Sequence, residues 1–69
     1  MQVKNFLKMT KKDANVSVYR QDEEGYSVVV QSVVTDSEDL KPVHDCKVVS
    51  FKAEGYNSIN LYVKRHVPQ

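Results

Sequence analysis

The chain has 69 residues, of which 41% are hydrophobic and 28% charged, and its formal net charge is +1. This length supports one domain over residues 1–69 with a thin core, because so short a chain buries only about 60% of the surface that it exposes when unfolded. Two glycines and two prolines exclude a collagen-like or disordered chain, and the near-neutral charge gives no overall attraction to nucleic acid or anionic lipid.

Residues 2–9 predict a short amphipathic helix. Val3, Phe6 and Leu7 fall on one stripe at helical spacing, and lysines occupy the other side. A helix of this length is unstable alone in water, so we expect it to lie on a sheet.

Four segments predict β-strands, because apolar, β-branched and aromatic residues dominate them. The predicted strands cover residues 15–21, 26–34, 46–53 and 58–66. The first and the last alternate most cleanly between apolar and polar positions. Gly25 and Gly55 predict tight turns within the first and second pair of strands.

The strand over residues 26–34 contains the longest run of strand-forming residues. Its first half places Tyr26, Val28 and Val30 on one face, so Val28 and Val30 are predicted core residues. The alternation slips near residues 31–32, which predicts a β-bulge there.

The longest break between strands is residues 35–45. Ser37 or Asp36 is suited to cap a single helical turn that Pro42 ends. Leu40 is expected to anchor this loop to the core.

The elements together predict an α+β fold, with a short N-terminal helix packed on a four-stranded antiparallel meander in two layers. Short connections favour pairing between strands that are neighbours in sequence. The residues expected beneath the helix are Val16, Val18, Ile59, Leu61 and Val63. One short helix covers only one side of such a sheet, so the other face is expected to stay open.

The open face is the predicted interaction surface. Its candidate residues are Tyr19, Val29, Tyr62, Lys64 and His66. The third strand adds either Lys47, Val49 and Phe51 or Cys46 and Val48, depending on its register. Because exposed apolar and tyrosine side chains are typical of association surfaces, we expect a non-enzymatic protein-interaction module. It would use this face or a sheet edge to form a homodimer or to bind another protein.

Two other binding functions fit parts of the sequence. In a single-stranded nucleic-acid-binding protein, Tyr19 and Tyr62 would stack on bases while nearby basic residues neutralise phosphates. Those basic residues are Arg20, Lys47, Lys64 and Arg65. The near-neutral net charge argues against this alternative.

A protein mimic of nucleic acid is the weakest option, because ten basic residues offset its six loop carboxylates. Those carboxylates are Asp22, Glu23, Glu24, Asp36, Glu38 and Asp39.

Residues with catalytic or metal-binding chemistry are scarce. His44, Cys46 and His66 are the only histidines and cysteine, whereas a zinc site takes three or four ligands. His44 and Cys46 are two apart on a predicted strand and therefore share a face, but nothing in the sequence supplies an orienting group or an oxyanion hole. We expect no enzyme activity, no metal and no cofactor.

The expected location is the cytoplasm, without a membrane partner. No apolar run reaches the roughly 18 residues of a membrane span, and no signal-peptide core follows Met1. The single cysteine, Cys46, agrees, since small secreted domains usually carry paired cysteines.

Several segments together resemble a group of small proteins. The chain opens with V-K-N-F-L-K-M and D-A-N-V-S-V-Y, continues through a glycine hairpin and a D-x-x-V-V-S segment, and closes with I-N-L-Y-V. This arrangement is similar to small uncharacterised proteins carried by prophages and mobile elements of Gram-positive bacteria. The resemblance covers most of the chain and implies an intracellular accessory protein.

Overall fold

The computed structural model of the protein describes residues 1–64 and contains one helix layer and one sheet layer. Its elements are α1 (Val3–Lys8), β1 (Asn15–Asp22), β2 (Gly25–Val34), a 3₁₀ helix (Glu38–Val43), β3 (Lys47–Ala53) and β4 (Ser58–Lys64). The predicted α+β class is confirmed, and each predicted element is found within one or two residues of its expected position. The last two residues of the predicted fourth strand, Arg65 and His66, lie outside the described residues.

α1 is held by its apolar stripe. Val3 and Leu7 are buried and Phe6 is half-buried, as their spacing predicts. The helix has no side-chain cap at Gln2. Instead its first amides bond to the loop before β3, because Val3 N–H donates to the Cys46 carbonyl (3.0 Å) and Lys4 N–H to that of His44 (3.1 Å). These bonds satisfy N–H groups that a helix leaves free at its start, and they fix α1 to the rest of the chain.

The four strands form one mixed sheet in the order β2-β1-β4-β3. β1 is antiparallel to β2 and β3 is antiparallel to β4, but the two central strands, β1 and β4, are parallel. The predicted all-antiparallel meander is therefore wrong. The two predicted hairpins exist, and they join through β1 and β4 instead of through β2 and β3.

The irregularity of the outer strands explains this order. β2 loses register against β1 at two places, and β3 loses register against β4 once, between Val48 and Ser50. A bulged strand fits poorly between two neighbours, so bulges are common at sheet edges. The parallel pairing of β1 with β4 is unbroken from Asn15–Ser58 to Arg20–Val63. These two most regular strands therefore occupy the centre of the sheet.

The first bulge in β2 changes which valines face the core. Val28 lies opposite Tyr19 and Val30 lies opposite Val18, so Val29 is an extra residue between them. As a result Val30 is buried, at 8% exposure, whereas Val28 is 56% exposed. The predicted core position is confirmed for Val30 and wrong for Val28.

The second bulge in β2 lies where the sequence predicts one. Ser32 has a positive φ of 53°, and its N–H donates to Ser17 Oγ at 2.9 Å. Val33 then lies opposite Val16. The side-chain hydroxyl of Ser17 thus accepts a hydrogen bond from a backbone amide that has no backbone partner at the bulge.

The loop between β2 and β3 contains the predicted helical turn as a 3₁₀ helix. Ser37 caps it, since its Oγ accepts a hydrogen bond from Asp39 N–H at 3.2 Å. Leu40 is fully buried and anchors the loop, as expected. Pro42 lies inside this helix instead of ending it.

The hydrophobic core fills the space between α1, the 3₁₀ helix and one face of the sheet. Its buried members are Val3, Leu7, Val16, Val18, Val30, Leu40, Val43, Cys46, Leu61 and Val63. Phe6, Val29, Val33, Val48 and Ile59 pack around its margin. Within residues 1–64, no helix has the length and apolar character needed to cross a membrane.

Candidate interaction surfaces

Two surfaces of the described chain carry exposed aromatic or apolar side chains. The first, the tyrosine face, is the side of the sheet turned away from α1. Its members are Tyr19, Tyr26, Val28, Lys47, Ser50, Lys52, Asn60, Tyr62 and Lys64. The second, the apolar rim, lies on the α1 side and along β3. Its members are Met1, Met9, Val49, Phe51 and Tyr56.

The centre of the tyrosine face is a group of three rings. The parallel register places Tyr19 directly opposite Tyr62, and their rings stack with centroids 5.5 Å apart at an interplanar angle of 23°. Tyr26 from the edge strand meets Tyr62 edge-on, with centroids 5.0 Å apart. Both arrangements are favourable for aromatic pairs. Tyr19 and Tyr62 are half-buried by these contacts, while Tyr26 stays 50% exposed.

The structure separates the five residues predicted for the open face. Tyr19, Tyr62 and Lys64 lie on it. Val29 does not, because it is the extra residue of the first bulge and packs against the core margin. His66 lies outside the described residues.

Four residues of this face were not predicted from the sequence, namely Tyr26 and Val28 on β2 and Ser50 and Lys52 on β3. The β2 residues were misplaced because of the first bulge. Both were assigned to the same side as Val30, but the bulge at Val29 reverses the alternation between Val28 and Val30. Three successive valines give no sign of such a reversal in the sequence, since none of them is polar and would indicate which side faces water.

The register of β3 agrees with neither of the two predicted sets. Lys47 lies opposite Lys64 on the tyrosine face, but the bulge after Val48 returns Phe51 to the α1 side, opposite Leu61. Val48 lies opposite Val63 and packs at the core margin, and Cys46 is buried before the strand begins.

The charges on the tyrosine face are positive. Lys47 and Lys64 are direct cross-strand neighbours, an arrangement that is unfavourable for two like charges. Lys52 lies further along β3, opposite Asn60, and its Nζ is 3.5 Å from Glu54 Oε1.

The apolar rim surrounds a contact between two phenylalanines. The rings of Phe6 and Phe51 lie 5.2 Å apart at 55°. Phe6 covers one side of Phe51, which nevertheless remains 63% exposed. Two shallow cavities meet at Phe6, Met9 and Phe51; one extends to Tyr56, and the other extends to Met1 and Val49. The rim is therefore a continuous apolar surface and not a set of isolated side chains.

The outer edge of β3 is only partly covered. At its start, Gln2 forms an isolated antiparallel bridge with Lys47, and Val48 N–H donates to the Met1 carbonyl at 2.8 Å. Beyond this point, within the part of the chain that the structure describes, residues 49–53 have β4 as a neighbouring strand on one side and no strand on the other. We refer to residues 49–53 as the free edge.

His44 and Cys46 do not form the predicted pair on one strand face. His44 ends the 3₁₀ helix in a helical conformation, and Cys46 is a free, buried thiol that packs in the core. Among residues 1–64, no group of three or more His, Cys, Asp or Glu side chains is placed to hold a metal ion.

The acidic residues of the first hairpin are held by local hydrogen bonds at its tip. Ser27 Oγ donates to Asp22 Oδ2 (2.7 Å) and Glu24 N–H donates to Asp22 Oδ1 (2.9 Å). These two bonds, the serine bond foremost, lower the pKa of the Asp22 carboxyl. The carboxylate is thus fixed by its own hairpin.

Comparison with known proteins gives no relative to guide the assignment. No protein-family model, no curated protein and no solved structure matches this chain.

Proposed function

We propose that this protein is a non-enzymatic protein-interaction module that forms a homodimer through the free edge and the apolar rim. The observation that carries this proposal is the position of Phe51. It is a large apolar side chain, mostly exposed, on an edge strand that pairs with β4 on one side and, within residues 1–64, with no strand on the other. The rest of the rim surrounds it. Exposed edges and contiguous apolar patches are both typical of association surfaces.

The free edge is symmetric about Phe51. It is bounded on one side by the Met1–Val48 hydrogen bond and on the other by the end of β3 at Ala53. A second copy related by a two-fold axis pairs this strand with itself in antiparallel fashion. If that pairing is centred on Phe51, it includes residues 49–53 of both copies. It then ends before Val48, where Met1 already occupies the edge of the strand.

Side-chain charge favours the same register. Centring the pairing on Lys52 would place two lysines directly opposite each other, which is unfavourable. Centring it on Phe51 instead places Lys52 opposite Ser50 of the second copy. It also brings the two Phe51 rings together beside both Phe6 side chains, where aromatic pairs are favourable.

The small size of the domain supports association. A chain of 69 residues has a thin core, and the rim leaves Met9 68% exposed in addition to Phe51. Covering these side chains by a second copy removes apolar surface from water, which is favourable by roughly 25 cal/mol per Å².

The resemblance to prophage and mobile-element proteins supports an accessory role, in which the protein acts by contact with other molecules. The free thiol of Cys46 supports a cytoplasmic setting, because thiols stay reduced there.

The test is the molar mass of the purified protein as a function of concentration, by analytical ultracentrifugation. The wild type should approach twice the monomer mass, and Phe51→Lys should remain monomeric, because a buried lysine pair at the two-fold axis repels itself. Val28→Lys is the matched control, since Val28 is similarly exposed but on the other edge strand and face. It should dimerise like the wild type.

Two results would contradict the homodimer. One is a monomeric wild type at every concentration, and the other is a dimer that Phe51→Lys leaves intact. If the monomeric wild type retains a different protein from its host and Phe51→Lys releases it, the rim is a docking surface and the second copy is the wrong occupant.

A further inference from the structure

We propose that the tyrosine face binds single-stranded nucleic acid, with Lys47, Lys52 and Lys64 contacting phosphates and the tyrosine row contacting bases. This surface lies on the opposite side of the sheet from the apolar rim, so the proposal does not require the homodimer, although Lys52 also belongs to the free edge.

The charge on this face is basic although the chain is nearly neutral overall. Lys47, Lys52 and Lys64 are exposed and occupy outward positions of β3 and β4. The other outward positions of β1, β3 and β4 are uncharged, namely Asn15, Ser17, Tyr19, Gln21, Ser50, Ser58, Asn60 and Tyr62. A phosphate between Lys47 and Lys64 would relieve the repulsion of these two cross-strand neighbours.

The acidic residues lie outside the outward strand positions of this face, so a net charge of +1 is compatible with a basic face. They are in the turn before β1, at the tip of the first hairpin, around the 3₁₀ helix and at the end of β3. Asp22 and Glu23 come nearest to the face, because they line a shallow pocket together with Lys64. Glu54 is the one that contacts a lysine of the face, Lys52, at 3.5 Å between largely exposed side chains. Exposed ion pairs of this kind contribute little, so a phosphate is able to compete for Lys52. The distribution of charge, and not its sum, is what guides binding.

The tyrosine row supplies the contact that bases need. Tyr19 and Tyr62 already stack on each other, whereas the ring of Tyr26 is half exposed at the end of the row. Stacking on an aromatic side chain requires a base that is free of its own duplex, so a single strand fits this face better than a double helix. An acidic peptide would satisfy the lysines but would leave the row of rings without a partner.

The test is fluorescence anisotropy of a labelled oligothymidylate at low salt, followed by titration with salt. Three phosphate contacts predict a slope of log K against log salt of about −2, since each contact to a single strand contributes about −0.7. Lys64→Gln should weaken binding and reduce the magnitude of the slope by about 0.7. Tyr26→Ala should weaken binding by about five-fold or more, the loss of one stacked base.

Lys11→Gln is the matched control, because it removes one exposed positive charge beside the apolar rim. It should leave both affinity and slope unchanged, and circular dichroism should show that all three variants are folded. Absence of binding at low salt, or equal losses from Lys11→Gln and Lys64→Gln, would overturn the proposal. Polyglutamate that binds as tightly as the oligonucleotide would assign the lysines to an acidic protein partner instead.

Discussion

Val29 determines which valines of β2 reach the core. As the extra residue of the first bulge, it lets Val28 and Val30 point to opposite faces although they are two apart. Regular alternation would have buried both or exposed both. One inserted residue thus moves Tyr26 and Val28 to the tyrosine face and leaves Val30 to pack against Val18.

The two valines should therefore respond differently to truncation. Val30→Ala should lower the free energy of unfolding by about 1–3 kcal/mol, because it leaves a cavity in the core. Val28→Ala should lower it by less than about 1 kcal/mol, since an exposed strand residue loses mainly its β-propensity. Urea unfolding at one fixed protein concentration measures both, and equal losses would show that the bulge is misplaced.

At the scale of elements, the helix and strands were predictable because each follows from local spacing. Val3, Phe6 and Leu7 define the stripe of α1, and Leu40 marks the anchor of the 3₁₀ helix. The strand order was not predictable, since the parallel pairing of β1 with β4 joins residues that lie far apart in sequence. The bulge of β3 was hidden for a related reason: Val48 and Val49 give the sequence no polar residue that would mark a change of face.

The candidate surfaces, too, were predictable where they depend on local spacing and not where they depend on distant contacts. Tyr19, Tyr62 and Lys64 were predictable as members of an open face because they lie on the two strands with clean alternation. The apolar rim was not, because it depends on the distant contact between Phe6 and Phe51. The free edge also depends on the bond between Met1 and Val48, which no sequence pattern indicates.

The first hairpin offers a test at the scale of one element. Ser27→Ala removes the strongest hydrogen bond to the Asp22 carboxylate, so the pKa of Asp22 should rise toward its ordinary value. Because folding lowers this pKa, the stabilisation is present above the ordinary carboxyl range and is lost as the pH falls through the lowered value. The stability difference between wild type and variant should therefore shrink in acid.

NMR titration of the side-chain carboxyl of Asp22 measures this shift directly. Ser50→Ala serves as the control, because Ser50 lies on β3 and makes no contact with the hairpin tip. An Asp22 pKa that does not change in Ser27→Ala would mean that another group holds the carboxylate.

At the scale of the whole molecule, the two proposed surfaces are compatible. Antiparallel pairing of two free edges joins two four-stranded sheets into one of eight strands. The two-fold axis is then perpendicular to the sheet, so both tyrosine faces lie on one side of the eight-stranded sheet and both rims lie on the other. A dimer would thereby present twice the basic surface of one chain to a single strand.

The pairing of residues 49–53 with a second copy is the claim on which the dimer depends, and amide hydrogen exchange measures it residue by residue. We expect the outward-facing amides of the free edge to exchange more slowly as protein concentration rises, because a second strand then accepts their hydrogen bonds. The amides of β2, the opposite edge, should not change. Protection of the free edge that is independent of concentration, or protection of β2 instead, would show that residues 49–53 do not pair with a second copy.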